Sequence, residues 1–441
     1  MRKAVLAGIK PEPAERERMA AVSSALMARI ECLAAERGLS IKPVLVGSAA
    51  RGTWLASDHD LDIFLGVAPG GDLGAALDVA RAAAPDHEEK YAEHAYVHAR
   101  VEGYDVDLVP CYLVADPSDL QSAVDRTPFH NEYISSRILG REDDVLLLKQ
   151  FMKGAEVYGS ELRVGGFSGY LAEILIIFYG SFEDVLSAAS RWRPGELLDP
   201  EGHGRVQHEE PLVVVDPVDP KRNVAAALTL DKMLLFSCAC RSFLAGPDAG
   251  FFSPPVHPPL SDGQISSIIA ERSTMPVLIE FEAPAVVEDV LYPQLRKAEE
   301  SVRSLLEKNG FSVLRSDVAS YRDRAALLFE MQVWLLPAAM RRSGPPVWEA
   351  EHLSRFLAAH PSPLSGPYIS GGRAVVEEPR AYSRASDLLA ANLAGLSLGK
   401  HLGAAIRRGY NIYCGREILS IRDGGFRAFL SRYFQPRFRI G

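Results

Sequence analysis

Met19, Val22, Leu26, Ile30 and Leu33 recur at steps of three and four and are followed by Gly38. That spacing predicts an amphipathic helix over residues 13–37, closed by a glycine cap. "IKPVLVG" then reads as a short apolar strand, "SAARGTWLA" returns to helical spacing, and "LDIFLGV" is a second strand ended by "APGGD". A helix over 73–84 precedes a strand pair, "YVHARVEG" and "YDVDLVPCYLV". Together these elements predict a mixed α/β head over residues 1–138.

From Arg141 the periodicity turns helical, in "DDVLLLKQFMKGAEVYG" and "GFSGYLAEILIIFYGSFEDVLSAASRW", and predicts a helical neck over 139–258. The longest apolar run, Tyr170 to Phe182, contains Glu173 and falls short of the roughly 20 residues a membrane span needs. It reads as a buried helix. The stretch "FFSPPVHPPLSDG" marks a linker. Beyond it "PVLIEFE", a long helix, "FSVLRSDVA", "AALLFEMQVWLL", the helix "WEAEHLSRFLAAH" and "GGRAVVEE" follow in β-α-β-β-α-β order. This is the ferredoxin-like plan common among RNA-binding modules, placed here over 259–385. The remaining segment, 386–441, is expected to pack back on the body. The fold class is therefore α+β, in several domains.

Composition adds little until it is read locally. The chain has 441 residues, 47% hydrophobic and 24% charged, with a formal charge of -9. That excludes a disordered chain and an indiscriminate nucleic-acid coat. From His401 onward, however, eight arginines face two acids, and Tyr410, Tyr413, Phe426, Phe429, Tyr433, Phe434 and Phe438 interleave with them. The arginines suit phosphate and the aromatics suit a core. Five scattered cysteines fit reduced thiols better than a disulfide framework, and Cys238 and Cys240 have no second pair to make a metal site. The N-terminal stretch has no secretory apolar region, so a cytoplasmic setting is expected.

The chemistry concentrates in "VLVGSAARGTWLASDHDLDIFL". Residues two apart on a strand share a face, so Asp60 and Asp62 project together, about 7 Å apart, while Leu61 and Ile63 face the core. Like charges so placed repel unless a cation lies between them, and Mg²⁺ takes carboxylate and phosphate oxygens. Gly47 and Ser48 stand at a strand-to-helix turn whose free N–H groups favour anions, and Arg51 follows one turn on. A third carboxylate comes from "YDVDLVPCY", where Asp105 and Asp107 are both candidates and Asp107 leads into the deeper apolar run. Asp58 belongs to the preceding turn. Three carboxylates of this kind suit in-line phosphoryl displacement with two ions.

This pattern resembles the polymerase-beta-like nucleotidyltransferases. With "YAEHAYV", "VDLVPCY", "AVDRTPFHNEY", "LLLKQFMKGAEVYGSE", "GFSGYLAEILIIFYGSF" and "VVVDPVDPKRNVAAAL" in order, the chain resembles the archaeal (class I) CCA-adding enzymes, tRNA nucleotidyltransferases, over nearly its whole length. The resemblance implies template-independent addition of CCA to the tRNA 3′ end from CTP and ATP, with release of pyrophosphate and two Mg²⁺ ions. It makes Asp60, Asp62 and Asp107 the catalytic metal carboxylates. It places Gly47, Ser48, Arg51, His130, Lys149 and Tyr158 on the nucleotide, with Thr127 beside His130 and Arg222 at the base. Tyr91 and Ala92 fall in a loop that touches the tRNA 3′ end. The family also uses glutamate where this chain has Asp60. Read alone, Lys149 is a surface charge, Tyr158 a half-buried core aromatic and Arg222 part of a helix start. The β-α-β-β-α-β tail, with Arg296 and Lys297, is expected to hold the tRNA acceptor stem, and a homodimer and no membrane are expected. The competing expectations are another nucleotidyltransferase, of the poly(A) polymerase type, and a non-catalytic RNA-binding protein on the same scaffold.

Overall fold

A computed structural model describes residues 1–56, 58–91, 93–204 and 208–436. The chain divides into two compact units, the first from Met1 to Pro255 and the second beginning at Val256.

The first unit opens with α1 (Arg2–Ile9), which the sequence reading left unassigned, and α2 (Pro13–Glu36). Proline at the first position of α2 costs no hydrogen bond, and Met19, Val22, Leu26 and Ile30 are buried along one stripe, as their spacing predicts. Then come β1 (Lys42–Val46), α3 (Gly47–Arg51), β2 (Asp60–Val67), α4 (Leu73–Ala83), β3 (His87–Tyr91), β4 (Ala95–Val101) and β5 (Tyr104–Tyr112). The strands form one sheet in the order β1-β2-β5-β4-β3. Only β2 and β5 run parallel. Leu61, Ile63, Leu65, Val106 and Leu108 face α2 and α4 in a buried core. α3 is shorter than "SAARGTWLA" suggests, because Gly52, at φ +68°, caps it in the left-handed region.

The neck is built from α5 (Thr127–Arg137), α6 (Glu142–Gly154), α7 (Gly169–Tyr179), α8 (Phe182–Ala189), the short parallel strands β6 (Glu196–Leu198) and β7 (Leu212–Val214), and α9 (Leu230–Ala245). Ser168, Ser181 and Thr229 cap α7, α8 and α9 through their hydroxyls. Phe151, Phe167, Phe182 and Phe236 are fully buried between these helices, each worth about 1.5–3 kcal/mol of transfer free energy. Val5, Leu6 and Ile9 of α1 pack on the same core.

The second unit contains α10 (Asp262–Arg272), β8 (Met275–Glu282), α11 (Glu288–Lys308), β9 (Ser312–Tyr321), β10 (Arg324–Val333), β11 (Ala339–Pro346), α12 (Ala350–Ala359), β12 (Ser365–Ser370), β13 (Arg373–Pro379), α13 (Ala385–Asn392), α14 (Lys400–Arg408), β14 (Tyr410–Cys414) and α15 (Gly424–Phe434). Its main sheet has the order β14-β8-β10-β9, antiparallel throughout, which is the ferredoxin-like arrangement. Two expectations are corrected. The strand "GGRAVVEE" forms as β13, but it joins β11 and β12 in a separate three-stranded sheet. The fourth strand of the main sheet is β14, and α13 and α14 take the place of the second crossover helix. Residues 386–434 therefore complete the core of the second unit. The aromatics of this segment are core, as expected for most of them: Phe426, Phe429, Tyr433 and Phe434 are buried. Phe438, Arg437 and Arg439 lie outside the described residues.

Candidate active site

The parallel pairing of β2 with β5 sets Asp60 opposite Asp105 and Asp62 opposite Asp107. Partners in parallel register project to the same side, so the four carboxylates make a two-by-two array on the face away from Leu61 and Ile63. Burial pushes the Asp62 carboxyl up to about 6, with the charges of Asp107 and Asp60 adding to it and Arg51 opposing. Asp60 is raised by burial too, and then by Asp58, Asp105 and Asp107. Gly47, at φ +73°, lies directly on this array, because a Cβ there would collide with the Asp62 carboxylate. The Gly47 turn and the carboxylates are thus in contact.

His98 is the residue opposite Asp107 on β4, and its Nδ1 lies 2.6 Å from Asp107 Oδ1. Sequence reading missed it, because the pairing depends on the register of two strands. Among the described residues no group of three His, Cys, Asp or Glu side chains is already gathered as a metal ion needs them. The donor set nonetheless fits a hard divalent cation: all carboxylate oxygen, mutually repelling, with two members driven toward the protonated form.

Across from this face stands α6. Lys149 and Lys153 are one turn apart on it, and they behave differently. Lys153 Nζ lies 2.8 Å from Asp58 Oδ1 and 5.4 Å from the Tyr158 ring centre, beside the array, although no sequence signal singled it out. Lys149 is no surface charge: its side chain is 3% exposed, and it donates to the Thr53 carbonyl at 2.9 Å. A Cβ on Gly169, at the start of α7, would come within 3.1 Å of the Tyr158 hydroxyl and 3.5 Å of Lys149 Nζ. Tyr158 is half-buried, as its sequence context suggests, and burial raises its phenol above the usual range.

Arg51 is held by acceptors of the protein itself. Its Nε and Nη2 donate to Glu173 at 3.2 and 2.8 Å, and its Nη1 donates to Asn131 at 2.9 Å. Glu173 is fully buried and also accepts from the Thr53 hydroxyl, with Lys149 Nζ at 3.7 Å. Burial opposes ionisation of Glu173, but Lys149 and Arg51 outweigh it and hold the carboxyl below its ordinary value. The polar residue inside the apolar run is the joint between head and neck.

A second buried carboxylate gathers the remaining neck residues. Asp216, fully buried, lies 2.9 Å from His130 Nε2 and 2.7 Å from Arg222 Nη1. Burial pushes Asp216 up, yet His130, the Val218 N–H and Arg222 together hold it at about 2. The His130 ring stacks on Tyr170 at 4.2 Å, and burial lowers its pKa below the usual histidine value. Arg222 remains 36% exposed beside its ion pair. Thr127, half-buried, begins α5, the helix that carries His130.

The expected RNA contacts separate. Tyr91 ends the edge strand β3 with 75% of its surface exposed. Ala92 lies outside the described residues. In the second unit Lys297 is exposed, whereas Arg296 is tied to Glu299 at 2.9 Å and Asp317 at 3.0 Å. Its charge is engaged within its own domain, so it is a weaker RNA candidate than its spacing on the helix suggests. Arg407, Arg408, Arg416 and Arg432 are exposed.

Family models match three successive stretches: "Nucleotidyltransferase domain" over residues 29–130, "tRNA nucleotidyltransferase, second domain" over 143–253, and "CCA-adding enzyme, C-terminal domain" over 272–415. The CCA-adding enzyme of Methanosarcina mazei is 45% identical, over 98% of this chain and 97% of its own length. Those of Methanosarcina acetivorans and Methanothermobacter thermautotrophicus are 44% and 42% identical over the same shares.

Proposed function

The chain belongs to the family of CCA-adding enzymes, and from that premise we propose that it adds C, C and A in turn to the 3′ end of tRNA. CTP and ATP are the substrates and pyrophosphate is the leaving group. The observation that carries this reading is the contact of Gly47, in the Gly47–Ser48 turn, with Asp62 of the Asp60, Asp62 and Asp107 array. It puts N–H donors for a triphosphate beside carboxylates for a metal.

Asp60, Asp62 and Asp107 would hold the divalent metal, two Mg²⁺ ions in this reading, which when bound supplies charge for the triphosphate and acidifies the terminal 3′-hydroxyl. The protein's own groups do the rest. His98 orients Asp107 through the 2.6 Å contact. Ser48, Arg51 and the start of α3 meet the phosphates, and Lys149, Lys153 and Tyr158 close on them from the neck. His130 and Arg222, fixed by Asp216, face the nucleoside, so a base is read by side chains held rigidly before it arrives. No nucleic-acid template is needed. The tRNA is held through phosphates and 2′-hydroxyls, with Lys297, Arg407 and Arg408 on the tail and Tyr91 near the 3′ end. A homodimer belongs to the same reading.

Asp62→Ala tests it. With tRNA lacking CCA, Mg²⁺, CTP and ATP, the variant should lose at least about 100-fold in nucleotide incorporation while its melting temperature is kept or raised, because a repelling charge is gone. Unchanged incorporation would remove the array from the chemistry.

A further inference from the structure

Arg51, Lys149 and Glu173 form a cluster with almost no access to water: their side chains are 7%, 3% and 0% exposed. Two cations share one carboxylate. The other polar partners are neutral: Asn131 takes Arg51 Nη1, the Thr53 carbonyl takes Lys149 Nζ, and the Thr53 hydroxyl donates to Glu173. Buried charge is stable only when paired, and Glu173 is the one carboxylate in direct contact with both cations, while Asp62 and Asp58 act on Arg51 and Lys149 from farther off. The start of α7 borders the cluster closely: a Cβ on Gly169 would lie 3.1 Å from the Tyr158 hydroxyl and 3.5 Å from Lys149 Nζ.

We propose that Glu173 is a positioning residue for nucleotide transfer: its carboxylate fixes the Arg51 guanidinium and keeps Lys149 charged at the place where the incoming triphosphate binds, without itself touching the nucleotide. This rests on the reading of Arg51 and Lys149 as triphosphate ligands. The two N–H···O contacts to Arg51 lock a planar group in one orientation, which a single contact cannot do. The charged groups facing Lys149 are Glu173 from α7, Arg51 from α3 and Asp58 from the turn before β2, with the Tyr158 hydroxyl beside Gly169. Burial drives the Lys149 ammonium toward the neutral form, Glu173 opposes this, Arg51 adds to it and Asp58 counters weakly. Glu173 is therefore the main group that keeps the lysine protonated in the absence of nucleotide. The triphosphate takes over that task on binding, and binding costs no proton uptake as long as Glu173 has done it first.

The test is the pH profile of KM for CTP and ATP on tRNA lacking CCA. In Glu173→Gln the shape is kept and the charge lost, so nucleotide must bring a proton with it. The pH at which KM begins to rise should fall by at least about one unit relative to the unmodified enzyme, and KM then climbs by about tenfold per pH unit. The rate at saturating nucleotide should change less than KM. Lys149→Met added to Glu173→Gln should abolish that pH dependence, because no ammonium is left to titrate. Identical KM profiles for Glu173→Gln and the unmodified enzyme would overturn the proposal. If Glu173→Gln does not fold, melting curves decide: Lys149→Met in the same chain should restore folding to the level of Lys149→Met alone, and failure to do so makes Glu173 a core strut and sinks the proposal. The functional reading is judged separately, by transfer in the unmodified enzyme and its loss in Asp62→Ala. If the unmodified chain transfers no nucleotide, that reading and this inference fall together.

Discussion

Glu173 and Asp216 between them hold Arg51, Lys149, His130 and Arg222, yet the sequence alone assigns neither a partner. Asp60 and Asp62 can be paired from sequence, because a two-residue spacing on one strand is a local property. Arg51 and Glu173 lie 122 positions apart, and His130 and Asp216 lie 86 apart, so their pairing exists only after the head and neck have packed. The same limit hid His98 and Lys153. Asp216 also gives a prediction at this scale. Its carboxyl sits at about 2, against an ordinary 3.8, so the unfolded chain binds the extra proton as pH falls. Its stabilising contribution, on the order of 2 kcal/mol, is complete above about pH 4 and is lost as pH drops through about 2. Urea unfolding of the enzyme at pH 7 and at pH 3 should show a smaller loss of stability on acidification in Asp216→Asn than in the unmodified chain. The variant should also be the less stable at pH 7, since His130 and Arg222 lose a buried anion. Equal acid sensitivity would show that Asp216 carries no such linkage.

Elements were more legible than their partners. The stripe Met19–Ile30 became α2, and "LDIFLGV" and "YDVDLVPCY" became the paired strands that carry the carboxylates. Alternation identifies a strand but not the sheet it joins, so "GGRAVVEE" reads as the fourth strand of the main tail sheet while "YNIYC", short and preceded by Gly409, gives little signal of its own. The pairing of β14 with β8, Ile412 opposite Ile279 and Tyr413 opposite Leu278, ties the C-terminal segment into the tail core. α15 adds Phe426 and Phe429, buried against Tyr321 and Leu328 in one cluster. Phe426→Ala should therefore cost about 3–5 kcal/mol in the unfolding of the second unit, measured by denaturant titration. A cost below about 1 kcal/mol would mean that α15 is not part of that core.

At the scale of the whole molecule, a chain of formal charge -9 has exposed arginines along its length, and Arg407, Arg408, Arg416 and Arg432 are among them on α14, in the segment after β14 and on α15. A unit that carries the carboxylate array is joined in one chain to a unit whose exposed cations suit an RNA backbone. No helix among the described residues is long and apolar enough to cross a membrane. Family membership over nearly the full length accounts for this pairing. The most direct test of that account is to sequence the 3′ ends of tRNA lacking CCA after incubation with the purified protein, Mg²⁺ and an equal mixture of CTP and ATP. The account predicts products that end in CCA and stop there. Tails of A alone, or ends left unextended, would contradict it.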